Sequence, residues 1–242
     1  TEIYTLSLHD ALPIFVDRTL AEAIHRDRKV VEAVSVETGE KSEIPYDKLV
    51  LATGADAFVP PLDGMDLERV FRLNHPYDAE NIKKAVTDGC GSAVIIGAGL
   101  IGLEVAEALA TQGLCVTIVE MLDTVAPTFL DPEMAAHLEA HLKSNGVEVM
   151  TGTKVTALNG DDKGIVSSVV TSTGEIPADM VLVAVGVRPN SKLAKDAGLE
   201  IGVTGGIRVD EHLRTSDPNI YAGGDRKSTR LTYSHVSQSR MP

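Results

Sequence analysis

The chain has 242 residues, of which 43% are hydrophobic, and can bury one large core or two smaller ones. Its formal net charge of −13 argues against nucleic-acid or anionic-membrane partners. No apolar run approaches the ~20 residues of a transmembrane helix, and no basic segment precedes an apolar one as in a signal peptide. Only Cys90 and Cys115 occur, outside C-x-x-C spacing, so we predict a cytoplasmic protein without a disulfide framework.

The first part of the chain predicts short strands separated by loops. Residues 1–14 show no clear period and do not begin with Met. Residues 29–46 predict a β-hairpin that turns at Thr38-Gly39. Residues 48–52, KLVLA, predict a short buried strand, and after a Pro- and Gly-rich loop residues 78–86 predict a short helix.

A β-α-β unit occupies the centre of the sequence. Residues 94–96 predict a buried parallel strand, and the apolar positions between 100 and 110 predict a helix. A second strand, residues 116–119, ends at Glu120. Three glycines with the spacing G-x-G-x-x-G follow the first strand: Gly97, Gly99 and Gly102.

This glycine spacing is typical of a dinucleotide site. Gly97 allows a tight turn, Gly99 lets the backbone approach a pyrophosphate, and Gly102 lets the helix pack on the strand. The pyrophosphate is expected at the helix N-terminus, where free N–H groups and the dipole favour an anion. The Glu120 carboxylate can accept hydrogen bonds from ribose hydroxyls. The cofactor-binding residues predicted in this unit are Gly97, Gly99, Leu100, Ile101, Gly102 and Glu120.

The acidic residue at position 120 also bears on which dinucleotide is bound. A 2′-phosphate would face the Glu120 carboxylate with like charge, and residues 121–126, MLDTVA, contain no Arg or Lys to receive it. We therefore expect NAD(H) rather than NADP(H). A basic residue from a distant part of the sequence is the alternative that would reverse this preference.

Beyond Glu120, strands again alternate with helices. Asp131-Pro132-Glu133 combine an N-cap, a proline at the first helical position and an early acid, which predicts a helix to about Asn145-Gly146. This alternation predicts the fold class α/β: a doubly wound parallel sheet with an antiparallel insert. The later strands are predicted at residues 147–150, 154–158, 165–171, 175–177, 180–185, 206–209 and 219–222, with a short helix at 192–197.

The composition changes abruptly at the C-terminus. Residues 226–242 contain four Lys or Arg and no acid, whereas the preceding residues hold all 35 acids. We expect either a disordered basic tail or a sequence foreign to the protein.

Four motifs stand in a fixed order in the sequence. They are LATGA at 51–55 with Pro60-Pro61 and Gly64, GAGLIGLE at 97–104, VGVRPN at 185–190, and Thr215 with YAGGD at 221–225. Together they resemble the pyridine nucleotide-disulfide oxidoreductases, flavoproteins with two dinucleotide domains, over about residues 15–225. The VGVRPN form is most similar to the coenzyme A disulfide reductase and NADH oxidase branch.

The resemblance implies a domain organisation in which an NAD(P)H domain interrupts an FAD domain. Residues 15–76 and 201–225 would be parts of an incomplete FAD-binding domain, and residues 77–200 would be the inserted Rossmann domain. The family's FAD-binding G-x-G-x-x-G, its redox cysteine and its C-terminal interface domain have no counterpart in this sequence. Residues 1–14 and 226–242 are similar to translated sequencing adapters, so we expect a truncated fragment with artificial or disordered ends.

The resemblance also implies roles for individual residues. Glu104 and the backbone at Gly186 would lie near the nicotinamide. Thr53-Gly54 would line the junction of the flavin and NAD domains, and Asp225 would hydrogen-bond the ribityl or pyrophosphate part of FAD. No residue is assigned as a nucleophile, general base or metal ligand, and Glu104 is equally well explained as an ordinary exposed helix residue.

The cysteines and one histidine pair have simple interpretations. Cys90 and Cys115 do not match the family's redox position, so we interpret both as small packing residues. His137 and His141 have an i, i+4 spacing that suits a metal, but no third ligand has compatible spacing, so we interpret them as a solvated helix face.

The function implied by the resemblance is an FAD-dependent oxidoreductase in which hydride passes from NADH to flavin. The electrons then pass to a disulfide, a thiol-linked oxidant, a peroxide or dioxygen, in a homodimer formed through the C-terminal domain; the fragment alone is expected to be inactive. One alternative is a ferredoxin or rubredoxin reductase, which an upstream redox cysteine would distinguish. Another is a non-catalytic NAD-binding module, which has no use for the motifs at Thr53-Gly54 and Asp225.

Overall fold

The structure is a computed structural model that describes residues 15–224 and the backbone of residues 227–229. The expectations for residues 1–14, for Asp225 and for most of 226–242 therefore lie outside the described residues. None of the described helices is long and apolar enough to cross a membrane.

The described residues contain 17 strands and four helices. In chain order these are β1 (Thr19–His25), β2 (Val30–Ser35), β3 (Lys41–Pro45), β4 (Leu49–Leu51), β5 (Ala55–Ala57), β6 (Val70–Phe71), α1 (Pro76–Thr87), β7 (Ser92–Ile96), α2 (Leu100–Thr111), β8 (Cys115–Val119), α3 (Pro132–Ser144), β9 (Val147–Met150), β10 (Val155–Gly160), β11 (Val166–Thr171), β12 (Gly174–Pro177), β13 (Met180–Val183), β14 (Val187–Pro189), α4 (Lys192–Asp196), β15 (Ile207–Val209), β16 (Ile220–Ala222) and β17 (Lys227–Thr229).

The chain divides into two compact units. The first unit comprises Thr1–Ala55 and Pro189–Pro242, and the second comprises Asp56–Arg188. The second unit is thus inserted, in sequence, between the two segments of the first. The predicted domain bounds differ from these limits and stay predictions.

The second unit is built around a five-stranded parallel sheet with the order β6-β13-β7-β8-β9. Strand β13 is buried at every position, as expected for a parallel strand with both faces covered. Helices α1, α2 and α3 pack on one face, around residues such as Ile95 and Ile118. The antiparallel strands β10-β11-β12 cover the other face, on which Val94 and Ile96 lie. The predicted α/β class with an antiparallel insert is confirmed.

Local sequence signals place most elements of this unit. Helix α3 begins at Pro132 as predicted, and the Asp131 Oδ1 accepts a hydrogen bond from the Met134 N–H at 2.9 Å. Strand β13 ends at Val183, earlier than predicted, because the chain turns away towards Gly186, which has a φ of +104°. The two-residue strand β6 was not predicted, since it is too short to show a period.

The first unit combines antiparallel and parallel pairs. Strands β1, β2 and β3 form an antiparallel sheet, in which the predicted hairpin is confirmed and β1 was not predicted. Strand β4 pairs in parallel with β16, and β15 pairs in parallel with β17. The core of this unit contains Ile24, Leu51, Ile207 and Ile220, so side chains from both chain segments are needed to form it.

Asp179 joins the amino ends of β7 and β13 within the second unit. Its Oδ2 accepts hydrogen bonds from the Gly91 N–H, the Ser92 N–H and the Ser92 hydroxyl, each at 2.9 Å. Burial acts to raise the pKa of the Asp179 carboxyl, but the hydrogen bonds from Gly91 and Ser92 outweigh it and hold the pKa below its usual range.

We expect Asp179→Asn to lower the free energy of unfolding at pH 7 by about 1 kcal/mol, a low value because the residue is exposed. A carboxyl whose pKa is lowered by folding stabilises the protein above its unfolded pKa of about 3.9 and loses that effect as pH falls through the folded pKa. The difference between wild type and variant should therefore shrink as pH falls below about 4, and it should vanish only below the folded pKa. Urea unfolding of both proteins between pH 7 and pH 3 measures it, with Asp66→Asn as the exposed control. A difference that persists unchanged in acid would contradict this assignment.

Candidate functional site

The predicted cofactor residues of the second unit lie at the carboxyl edge of its parallel sheet. Strand β7 ends at Ile96, and α2 begins at Leu100 with Gly99 as its N-cap. The neighbouring strands β8 and β13 end at Val119 and Val183 on either side of β7. The glycine turn, Glu120 and the segment leading to Gly186 therefore leave the sheet at one edge, where open α/β sheets bind ligands.

Gly97 makes the tight turn that ends β7. Its φ is +103°, a region that L side chains rarely adopt. A Cβ at this position would lie 2.6 Å from the Ala184 carbonyl oxygen. The Gly97 N–H donates to the Val119 oxygen at 2.8 Å. Both backbone conformation and packing therefore require glycine here.

Gly102 brings α2 close to the turn. A Cβ on Gly102 would lie 2.2 Å from the Gly97 carbonyl oxygen and 3.3 Å from Cγ2 of Ile95. A side chain would push the first turn of the helix away from β7. Glycine at position 102 is therefore explained by packing alone.

Neither the backbone conformation nor the packing requires glycine at position 99. Its φ is −77°, and no atom lies within 4 Å of where its Cβ would be. Open space remains at the N-terminus of α2, where the first N–H groups have no partner within the helix and no acid lies in the first turn. Leu100 and Ile101 are 58% and 39% exposed there. This space suits an anionic group that approaches the backbone closely.

Glu120 has a backbone role that the sequence did not reveal. Its carboxylate is buried, with 9% of the residue exposed. Oε2 accepts a hydrogen bond from the Ala98 N–H at 2.8 Å, and Oε1 accepts one from the Leu122 N–H at 2.9 Å. A carboxylate has about four acceptor positions, so each oxygen retains capacity for a hydroxyl. The predicted contact with a ribose stays a prediction.

The loop after Glu120 is fixed by its backbone. The Ala126 N–H donates to the Ala98 oxygen at 2.9 Å, and the Gly152 N–H donates to the Leu122 oxygen at 2.8 Å. Met121 and Leu122 are 61% and 48% exposed. The loop thus presents apolar side chains beside a buried negative charge.

Gly186 lies between β13 and β14, and Glu104 lies on α2. The Gly186 oxygen accepts a hydrogen bond from the Phe58 N–H at 2.9 Å, and the Arg188 guanidinium lies over the Phe58 ring, 3.9 Å from its centroid. Glu104 is exposed on α2. Phe58 was missed because it lies far from VGVRPN in sequence.

Within the first unit, Thr53-Gly54 contacts Asn190, the last residue of the VGVRPN motif. The Thr53 hydroxyl donates to the Asn190 oxygen at 2.8 Å, and the Asn190 N–H donates to the Gly54 oxygen at 3.0 Å. The Asn190 side-chain amide donates to the Thr53 oxygen at 3.2 Å. Two of the motifs found in the sequence are therefore hydrogen-bonded to each other. The remaining predicted residue, Asp225, lies outside the described residues.

The two cysteines differ in their surroundings. Cys90 is buried, burial raises the pKa of its thiol, and its Sγ lies 3.7 Å from the Asp179 oxygen, so the packing interpretation is confirmed for it. For Cys115 that interpretation is wrong, since it is exposed at the first position of β8. Over the described part of the chain, no group of three His, Cys, Asp or Glu is placed to hold a metal.

Fold and site together define an α/β protein of the Rossmann type with a dinucleotide-type glycine turn. Residues 12–240 match the pyridine nucleotide-disulphide oxidoreductases, and the chain belongs to that family. The resemblance inferred from the four motifs is thereby confirmed.

Relatives and solved structures agree with this assignment. The NADH oxidase of Methanocaldococcus jannaschii is 44% identical over 188 residues, which are 77% of this chain and 41% of the relative. The rubredoxin-NAD(+) reductase of Pseudomonas putida is 36% identical over 201 residues, 80% of this chain and 51% of the relative. The NAD-dependent persulfide reductase from A. fulgidus superposes with a TM-score of 0.83 at 48% identity, covering 86% of this chain and 38% of that one. The chain spans about half the length of the curated relatives that it matches.

The glycine geometry predicts opposite outcomes for two alanine substitutions. Gly102→Ala should lower the free energy of unfolding by about 1–3 kcal/mol, because its Cβ would meet a backbone oxygen, although alanine normally favours a helix interior. Gly99→Ala should change it by less than about 1 kcal/mol, because the space is open. Urea unfolding of the two variants beside wild type makes the comparison. A stabilised Gly102→Ala would show that the approach of α2 to β7 is looser than described.

Proposed function

We propose that this chain binds NADH and presents its nicotinamide to FAD, as part of an NADH-dependent flavin oxidoreductase. The observation that carries the proposal is the open space at Gly99, at the N-terminus of α2 and in the same turn that the buried Glu120 carboxylate contacts. Relatives named NADH oxidase, NAD-dependent persulfide reductase and rubredoxin-NAD(+) reductase support NAD(H) as the cofactor.

The pyrophosphate of NADH would bind at the start of α2. The N–H groups of Leu100, Ile101 and Gly102 have no acceptor within the helix, and the helix dipole favours the negative charge. Gly99 leaves room for the phosphate oxygens to reach the backbone. No charged side chain is needed for this recognition, which agrees with the apolar character of Leu100 and Ile101.

The adenosine ribose would hydrogen-bond to Glu120, which makes NADH the preferred nucleotide. The water-forming oxidase of Lactobacillus brevis is known in a structure bound to NADH, and an engineered five-residue variant of it is known bound to NADPH. That variant loses an aspartate and gains two arginines. The five changed positions have the spacing of Gly102, Glu120, Met121, Leu122 and Pro127 in this chain. The acidic residue and the absence of arginine at these positions here support a preference for NADH.

The hydride would pass from the nicotinamide to the flavin, which are the groups that carry the redox chemistry. The contribution of this chain is positioning. Glu104 on α2 and the backbone at Gly186 would border the nicotinamide, and the Phe58 N–H holds the Gly186 carbonyl in place. Thr53-Gly54 and Asp225 would contact FAD, in a domain formed by residues 15–76 and 201–225 around an NAD-binding domain of residues 77–200.

We further propose a small-molecule electron acceptor, namely a disulfide or other thiol-linked oxidant, a peroxide or dioxygen. The VGVRPN motif and relatives named NADH oxidase and CoA-dependent sulfur oxidoreductase support this choice over a protein acceptor. A cytoplasmic homodimer is the corresponding assembly. A rubredoxin reductase is the second candidate, because relatives of that name share 36% identity with this chain.

Nucleotide preference tests the role of Glu120. We expect wild type to bind NADH at least about tenfold more tightly than NADPH, since like charges near 4 Å at a protein surface repel by several kcal/mol. Glu120→Ala should narrow the difference, whereas Glu107→Ala, an exposed acid on α2, should leave it unchanged. Isothermal titration calorimetry with both nucleotides measures the affinities. Equal affinities of wild type for NADH and NADPH would refute the assignment of Glu120 to the ribose.

A larger side chain at the open position tests the phosphate site. Gly99→Val should abolish measurable NADH binding, because its methyl groups would occupy the space reserved for the pyrophosphate. The fold should persist, since φ is −77° and no neighbouring atom is displaced. Calorimetric titration is combined with circular dichroism, and Gly91→Val at the amino end of β7 is the matched control. Retention of wild-type NADH affinity by Gly99→Val would place the pyrophosphate elsewhere.

A further inference from the structure

One peptide group of the glycine turn is held from two sides. The peptide between Gly97 and Ala98 contains the Gly97 carbonyl and the Ala98 N–H, which point in opposite directions in a trans peptide. The N–H donates to the Glu120 carboxylate at 2.8 Å. The carbonyl oxygen points to α2, where it would lie 2.2 Å from a Cβ on Gly102. Rotation of this peptide is therefore limited by the hydrogen bond to Glu120 on one side and by the close packing of the carbonyl against Gly102 on the other.

The same carboxylate also fixes the loop that follows it. Its second oxygen accepts the Leu122 N–H at 2.9 Å, and the Ala98 oxygen accepts the Ala126 N–H at 2.9 Å. The glycine turn and the loop that would border the adenosine are thus hydrogen-bonded through one buried side chain and one backbone contact. A hydrogen bond to a charged acceptor is stronger than one between neutral groups, so Glu120 is the main connection.

We propose that Glu120 is a positioning residue for the phosphate-binding turn, in addition to the ribose contact of the proposed function on which this inference rests. It acts through the Ala98 N–H, and its action is energetically coupled to the missing side chain of Gly102. Removal of the carboxylate releases the peptide, which can then rotate away from α2. The effects of substitutions at Gly102 and Glu120 on stability therefore depend on each other.

The engineered NADPH oxidase from Lactobacillus brevis is consistent with such coupling. Among its five changes are a glycine replaced by alanine and an aspartate replaced by alanine, at the spacing of Gly102 and Glu120. In this chain the first change alone would force a clash with a backbone oxygen that the acidic residue helps to hold. We expect the two changes together to release the restraint on the peptide and so to relieve part of the clash.

The coupling is measured by a double-mutant cycle of Glu120→Ala and Gly102→Ala in thermal unfolding without ligand. We expect Gly102→Ala to lower the midpoint of thermal unfolding in the wild-type background. In the Glu120→Ala background it should lower the midpoint by roughly half as much or less, because the effects of two coupled neighbours are not additive. Glu120→Gln keeps one acceptor oxygen and should give an intermediate coupling. Additive shifts would overturn the proposal.

Ligands with and without ribose hydroxyls separate positioning from ribose binding. Adenosine diphosphate and its 2′,3′-dideoxy analogue are titrated into wild type, Glu120→Ala and Asp179→Asn by calorimetry. If Glu120 positions the turn, Glu120→Ala weakens the dideoxy analogue as well, by roughly tenfold or more. Asp179→Asn removes an acid that accepts backbone N–H groups at the opposite, amino ends of the strands. Asp179→Asn should therefore leave the affinity for the dideoxy analogue unchanged.

The outcomes distinguish this inference from the proposed function. If Glu120→Ala weakens adenosine diphosphate but not its dideoxy analogue, Glu120 acts on the ribose alone, and the positioning role is overturned while the proposed function stands. An equal loss in Asp179→Asn would mean general destabilisation and would also overturn it. If wild type binds both ligands equally while Glu120→Ala weakens both, positioning is supported and the ribose contact fails. Absence of binding of either ligand and of NADH by wild type would overturn both.

Discussion

The close approach of helix α2 to the end of strand β7 is the constraint on which the site depends. It is possible because Gly102 has no side chain to meet the Gly97 carbonyl and because Gly97 adopts a φ of +103°. The approach brings the free N–H groups of the first helical turn to the edge of a sheet whose strands β7 and β13 are almost completely buried. Packing at the turn thus determines the electrostatics of the proposed anion site, since its N–H groups belong to the backbone.

Rigidity of the surrounding layers keeps this turn in place. Ile95 and Ile118 are fully buried in β7 and β8, and each stabilises the fold by about 1.5–3 kcal/mol. Helices cover one face and an antiparallel sheet covers the other, so movement of β7 would disturb both layers. A ligand that binds at the turn therefore meets a surface that is organised before it arrives, which reduces the entropy that binding must offset.

Local signals predicted the elements of this fold better than its contacts. Some signals involve only residues that are close together in sequence: the hydrophobic run of β7, the cap at Asp131 and the glycine spacing. The structure has each of these features where it was expected. Strand β1 was missed because the apolar residues of its sequence, TLAEAIH, do not alternate with polar ones. The bond from Ala98 to Glu120 and the bonds of Asn190 with Thr53 join residues distant in sequence. Such pairs have no periodicity, so a single sequence cannot reveal them.

The acidic residue at the end of β8 shows why a role inferred from a motif can be incomplete. Spacing alone assigns Glu120 to a ribose, a contact made only when a nucleotide is bound. The structure adds two backbone hydrogen bonds made by the protein itself, and burial makes these costly to lose, because a buried N–H without a partner is destabilising. Under the proposed function, nucleotide preference and loop geometry therefore both depend on the Glu120 side chain. The proposal then implies that a substitution of Glu120 that alters nucleotide preference also alters the turn, whose Gly97 carbonyl oxygen lies where a side chain on Gly102 would be.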